Sequence, residues 1–380
     1  MLSDKELEEL IEPIINIYNK IEMELIIDIA QRFSNYSSID GSLEWYLKKL
    51  DEMNALNDNA IKIFAKYSKI SETRIREMLS DVQFANFISS DIDKAFEIGL
   101  SKVTYDDLIQ NQVFKDTLVN SYKELNKSFR LIQTKAIESQ KQAYMDILNR
   151  AYIDVSSGTY SYNQSIKNAI EKMSKKGITG VTYKRKDGTL INYSIEAAIR
   201  RDTLTAIHKL ANETTFDSIK ELGTNYVDVS QHIGARVSDT NPIADHAGCQ
   251  GKQYQIEGSS KEYPNFAKST GYGDILGFGG VNCRHRAFAF FPGISVPISQ
   301  KVDYEDNKIH YKNTQKLRKL EREIRTLKKQ RNSMEEIKSI DGVKEFDKRI
   351  IEKGKQINQL CEEAGIKRDY ARERVYWWAG

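Results

Sequence analysis

The chain has 380 residues, 40% of them hydrophobic and 29% charged, with 57 Lys plus Arg against 54 Asp plus Glu. That is enough for two or three domains and a sizeable core, and the Lys- and Glu-rich composition points to a soluble protein with long exposed helices. A net charge of +3 is too small to indicate a nucleic-acid partner, and three cysteines without a CxxC pair do not make a disulfide framework.

No uncharged apolar run reaches the roughly 18 residues of a membrane span, so no membrane partner is expected. The acidic, amphipathic opening MLSDKELEELIE lacks the basic and apolar regions of a secretory signal, which predicts a cytoplasmic protein.

Leu7, Leu10, Ile11, Ile14, Tyr18, Ile21, Leu25 and Ile29 recur at helical spacing. They predict a first helix over 3–33 that kinks or restarts at Pro13 and ends in the Ser-, Asn- and Gly-rich stretch 34–42. Amphipathic segments follow over 43–57, 58–67, 71–80, 83–99, 104–110 and 113–153. None carries a catalytic constellation, so residues 1–155 read as a helical scaffold.

Ser161 followed by Gln164 is a capping-box pattern, opening a helix that carries Ile166, Ile170 and Met173 and stops at Gly177. Residues 181–193 form two β-prone runs around Lys186-Asp187-Gly188, a hairpin signal. Ser194 caps a helix over 195–222, closed by Gly223, and 226–233 alternates as a strand should.

Tyr226 to Ser295 gathers the rare residue types: His232, His246 and His285 of five histidines, Cys249 and Cys283 of three cysteines, and ten of 21 glycines. Short strands joined by shaped turns are expected there, with helices elsewhere. His208 and His310, isolated on helical or irregular segments, are expected to play no part.

Beyond Pro297, Leu317, Leu320, Ile324 and Leu327 take heptad positions. A break near Asp341-Gly342 precedes a second run through Val343, Phe346, Ile350, Ile357 and Leu360, predicting an antiparallel helical hairpin. Residues 301–380 hold 21 Lys plus Arg against 15 Asp plus Glu, a local charge of +6. The expected fold is α+β and predominantly α-helical: a helical N-terminal region over 1–155, a compact glycine-rich α+β domain over 156–298, and a basic hairpin over 299–380.

The sharpest chemical pattern is His246-x-x-Cys249 with Cys283-x-His285 on a later loop. Two closely spaced pairs of soft donors are how tetrahedral zinc is usually held, and four protein ligands would make the ion structural. The plain alternative is four individually packed residues. A metal-dependent hydrolase using His232, Asp245, His246 and His285, with Lys252 or Arg284 on a phosphate, finds no HExxH, acidic pair or nucleophile elbow in support, so no enzyme is expected.

Arg236, Lys252, Arg284 and Arg286 lie among aromatics in a mixture able to grip single-stranded nucleic acid. Lys316, Arg318, Lys319, Arg322, Arg325, Lys328, Lys329 and Arg331 could meet DNA phosphates by charge. The alternative for that helix is a solvated coiled-coil face.

The stretches HIGAR (232–236), DHAGCQGKQY (245–254), STGYGD (269–274), GFGGVNCRH (277–285) and FFPGIS (290–295), with weaker likeness over 151–183 and 315–330, resemble the phage minor capsid protein 2 family. These proteins are related to the portal-adjacent head-morphogenesis proteins of tailed phages. The matching positions are His232, Gly234, Arg236, Gln250, Gly251, Lys252, Gly271, Tyr272, Gly273, Asn282 and Arg284. Cys249 stands where the family pattern has Trp, Val237 where it has Pro, and SDTNPIA (238–244) is an insertion. A four-ligand zinc site would therefore be a local acquisition.

The resemblance implies a minor structural component of a tailed-phage or prophage-like particle, sited at the portal vertex or head interior and acting in head assembly or DNA passage. It would partner portal protein, major capsid protein and phage DNA, with no small-molecule substrate, in the virion and, during assembly, in the host cytoplasm. The alternatives are a metal-dependent nuclease or toxin-like effector carried by the particle, and a DNA-binding packaging factor.

Overall fold

The computed structural model describes residues 4–33, 43–184, 188–298 and 302–375. It is α+β and predominantly helical, with two small antiparallel sheets. Among the described residues no helix is long and apolar enough to cross a membrane.

The chain divides into two compact units. Unit 1 comprises Met1–Pro13, Glu72–Lys127 and Arg200–Gln315, and unit 2 comprises Ile14–Ser71, Ser128–Ile199 and Lys316–Gly380. Each therefore draws on the N-terminal, central and C-terminal thirds of the sequence.

Helix α1 (Asp4–Phe33) continues through Pro13 rather than restarting there. A proline removes one N–H donor, and burial of Ile14, Ile15, Tyr18 and Ile21 on one face offsets that loss. Helix α2 (Leu43–Phe84) is a single 42-residue element where three segments and part of a fourth are expected. Its interior holds no Gly or Pro, and its polar interruptions are carried by burial of Leu56, Ala60, Ile63, Phe64, Ile75 and Leu79, with Ser68 bonded to the carbonyl of Ala65 and Ser71 to the Tyr18 hydroxyl. The expected 34–42 break lies outside the described residues.

The short helices α3 (Ser89–Glu97) and α4 (Tyr105–Gln110) follow, α4 opening on a capping box between Thr104 and Asp107. The long α5 (Gln112–Ser156) comes next.

In unit 2, α6 (Tyr162–Lys176) is capped by the Ser161 hydroxyl, which accepts the Gln164 N–H, and closes at Gly177. Strands β1 (Thr179–Lys184) and β2 (Leu190–Ser194) make the expected hairpin, though Lys186 and Asp187 of its turn lie outside the described residues. Tyr18 meets Phe129 edge-on at 5.2 Å, and Phe33 stacks on Tyr144 at 5.3 Å.

The C-terminal hairpin is α10 (Tyr304–Glu336) and α11 (Ile340–Ala364). Leu317 and Ile324 bury against Ile357 and Cys361 as the heptad spacing predicts. The turn comes at 337–339, earlier than Asp341-Gly342, because the Ser339 hydroxyl accepts the Gly342 N–H and draws both residues into the first turn of α11.

In unit 1, most of α7 (Ile195–Ser218) packs beside a three-stranded sheet in the order β4-β3-β5. The strands are β3 (Tyr226–Val229), β4 (Gln253–Gln255) and β5 (Ala287–Phe290), with Val227 opposite both Tyr254 and Ala289. Strand β3 is shorter than the alternation over 226–233 suggests. Two short helices, α8 (His246–Cys249) and α9 (Phe266–Thr270), stand where only strands and turns are expected. Ile219, Val227, Val229, Tyr254, Phe266, Phe278 and Ala287 form the core under the sheet.

Candidate functional site

At one end of this sheet, donor atoms of His246, Cys283 and His285 all lie within 4.8 Å of one another. His246 opens α8, Cys283 follows the left-handed Asn282 (φ 57°), and His285 leads into β5. Their exposures of 2%, 3% and 1% place the cluster out of solvent.

The hydrogen bonds around the cluster fix the imidazole tautomers. Nε2 of His246 is 2.9 Å from the carbonyl oxygen of Leu276. A carbonyl only accepts, so Nε2 carries the proton and Nδ1 is the lone-pair nitrogen. Oε1 of Gln250 accepts the His232 backbone N–H at 3.1 Å, which sets the orientation of that amide. The same oxygen is 3.1 Å from Nε2 of His285, so this ring also donates through Nε2 and turns a bare Nδ1 to the Cys283 sulfur at 3.6 Å.

Burial, then the neighbouring His232, His246 and His208, holds His285 well below the usual histidine range, and burial likewise lowers His246. Both rings are thus neutral near pH 7. Cys249, the fourth residue expected from sequence, is outside the cluster of donors. Its thiol contacts the His246 carbonyl at 3.5 Å and is pushed up to about 12, by burial first and then by Cys283.

The motif residues build the walls. Arg236 donates to the carbonyls of Leu276 (3.2 Å) and Val281, pinning the loop that supplies the His246 partner. The His232 ring stacks on His285 at 4.6 Å between centroids. Gly251 (φ 65°) returns its N–H to the Val229 carbonyl at 3.1 Å. Gly271 (φ 66°) closes α9, Gly273 (φ 96°) continues the turn, and Tyr272 between them packs on Phe216 at 4.9 Å.

The two candidate phosphate holders are engaged elsewhere: Lys252 donates to the Gly248 carbonyl and Arg284 pairs with Glu8, both at 2.7 Å. Arg286 is 4% exposed and lies over the Phe288 ring.

Three residues of the site went unread in the sequence. His208, expected to be idle, is 3% exposed on α7 and lowered to about 3, by burial first, then by Arg286, Arg284 and His232. One turn on, Asn212 accepts the Ala287 N–H at 2.8 Å and donates to the His285 carbonyl at 3.4 Å. Asn307 of α10 accepts the N–H groups of Gly234 (φ 87°) at 2.8 Å and Ala235 at 2.9 Å. The available signal was polar residues on an apolar stripe: His208, Asn212 and Thr215 fall at i, i+4 and i+7 of α7.

On α10, Lys329 is 2.9 Å from Glu22, Arg325 is 3.3 Å from Glu196, Arg331 is 3.3 Å from Asp347, Lys328 donates to the Glu373 carbonyl at 2.8 Å, and Arg318 faces Glu321 at 3.9 Å. Lys319 and Arg322 instead line a groove of about 540 Å³ with Lys175 and Arg349. Most of the candidate DNA-binding cations thus serve the fold of unit 2.

A family model described as phage minor capsid protein 2 matches residues 2–362. The chain belongs to that family. It is also 22% identical, over 344 residues, to a structural protein of Lactococcus phage LL-H, covering 88% of this chain and 89% of the relative. No solved structure matches. The family match runs through both units.

Proposed function

We propose that this minor capsid protein acts at the portal vertex or in the head interior, in head assembly or DNA passage, with portal or major capsid protein as its direct partner. The observation that carries the reading is the family match over 2–362. Its chemistry agrees: the titratable cluster is buried, and the motif residues are spent on shaping loops. Co-expression with portal and major capsid protein, followed by affinity purification, tests it. Stoichiometric recovery of either partner is expected; a chain recovered alone, and missing from gradient-purified heads, would reject the proposal.

A DNA-contacting role is the second reading, favoured by a groove in which Lys175, Lys319, Arg322, Arg349 and Lys353 outnumber Glu323 and Glu352. It predicts affinity that falls steeply with salt. The nuclease reading is disfavoured, because donors that are 1–3% exposed leave no path for a phosphodiester. Absence of divalent-dependent DNA or RNA cleavage by the purified chain is the expected result.

A further inference from the structure

We propose that His246, Cys283 and His285 bind one zinc-class divalent ion, a structural clamp on the loop 247–282, and that Cys249 is not a ligand. The inference is independent of where in the particle the protein sits.

Three observations carry it. The donor atoms converge within 4.8 Å from two separate segments, His246 on one and Cys283 with His285 on the other. A thiolate with two imidazoles is a donor set for zinc rather than for magnesium or calcium, which take oxygen ligands. Both rings have the hydrogen-bond acceptor that orients a metal-bound histidine, the Leu276 carbonyl on His246 and the Gln250 amide oxygen on His285. Each oxygen accepts a hydrogen bond from Nε2–H and so leaves the Nδ1 lone pair to bind the ion.

The site's burial decides the role. Three protein ligands leave the fourth position to a water, and donors that are only 1–3% exposed keep that water away from any bulky substrate, which makes the ion structural. The loop it spans carries only α8, β4 and α9, the longest of them five residues. Fixing both ends of such a loop removes closure entropy from the unfolded chain.

The test uses full-length protein purified without chelator. Mass spectrometry is expected to find about one equivalent of zinc, and exchange into cobalt(II) to give a near-ultraviolet thiolate-to-metal charge-transfer band. Both should survive in Cys249→Ser and vanish in Cys283→Ser. Chelation should lower the Tm of the unmodified protein by roughly 5 °C or more.

No stoichiometric metal even after incubation with zinc, or a cobalt form without the thiolate band, overturns the proposal. So does a band that survives in Cys283→Ser and disappears in Cys249→Ser. Should Cys283→Ser fail to fold, the cobalt spectrum of the unmodified chain decides.

Discussion

Lys329 shows how far a residue's role can depart from its type. Its stem and ammonium are buried, with side-chain exposure of 9% against 0% for Glu22, and the second Glu22 oxygen accepts the Ile178 N–H at 3.2 Å. Lys329→Met would strand the carboxylate, with an expected loss of about 3–5 kcal/mol. Glu22→Gln combined with Lys329→Met should recover much of it, because a neutral amide can still accept from Ile178. Urea unfolding of the two variants checks this.

His208 makes the second residue-scale prediction. Its folded value of about 3 lies below the usual histidine value near 6.5. Between those values the unfolded chain binds the extra proton, so stability is full above about pH 6.5 and falls as pH drops towards 3, by up to about 1.4 kcal/mol per pH unit. A His208→Gln variant should have a shallower slope of Tm against pH across that window. An unchanged slope would assign the acid sensitivity to other groups.

At the scale of elements, the glycine turn 271–280 positions the Leu276 carbonyl on which His246 depends. A Cβ at Gly277 would sit 2.0 Å from the Gly271 carbonyl oxygen, and one at Gly271 would meet the Ile243 side chain at 2.4 Å. Gly277→Ala should therefore displace the loop and cost about 2 kcal/mol or more, whereas Gly273→Ala, with nothing within 4 Å of its Cβ, should suffer only from its φ of 96°. Thermal melts of the two variants give the comparison.

Helix existence was readable at this scale because apolar periodicity is local: α1, α5, α6 and the C-terminal hairpin all lie where it put them. Continuity was not. The three segments expected over 43–80 form one helix because only burial, not local propensity, decides whether a polar interruption is tolerated.

For the whole molecule, the two compact units cut across the three sequence segments, since α1, α2, α5, α7 and α10 each contribute residues to both. That bears on the DNA reading. Neutralising Lys319 and Arg322 together should reduce the salt slope of DNA binding by about 1–2, leaving the Tm unchanged. Neutralising Arg325 and Lys329 should lower the Tm first, because Glu196 and Glu22 lose their partners. Filter binding across a salt series, run beside melting curves, separates the two.

What the sequence determined by itself was the helical character, the hairpins, the glycine-shaped region and the family, each of which rests on local pattern or motif order. Tertiary structure alone decided which donors meet. His246, Cys283 and His285 converge while Cys249, three residues from His246, stays apart, its thiol turned back onto the His246 carbonyl. His208, Asn212 and Asn307 joined the site only when α7 and α10 packed beside it. Spacing along a chain says which residues can face together, but the packing of distant segments selects the ones that do.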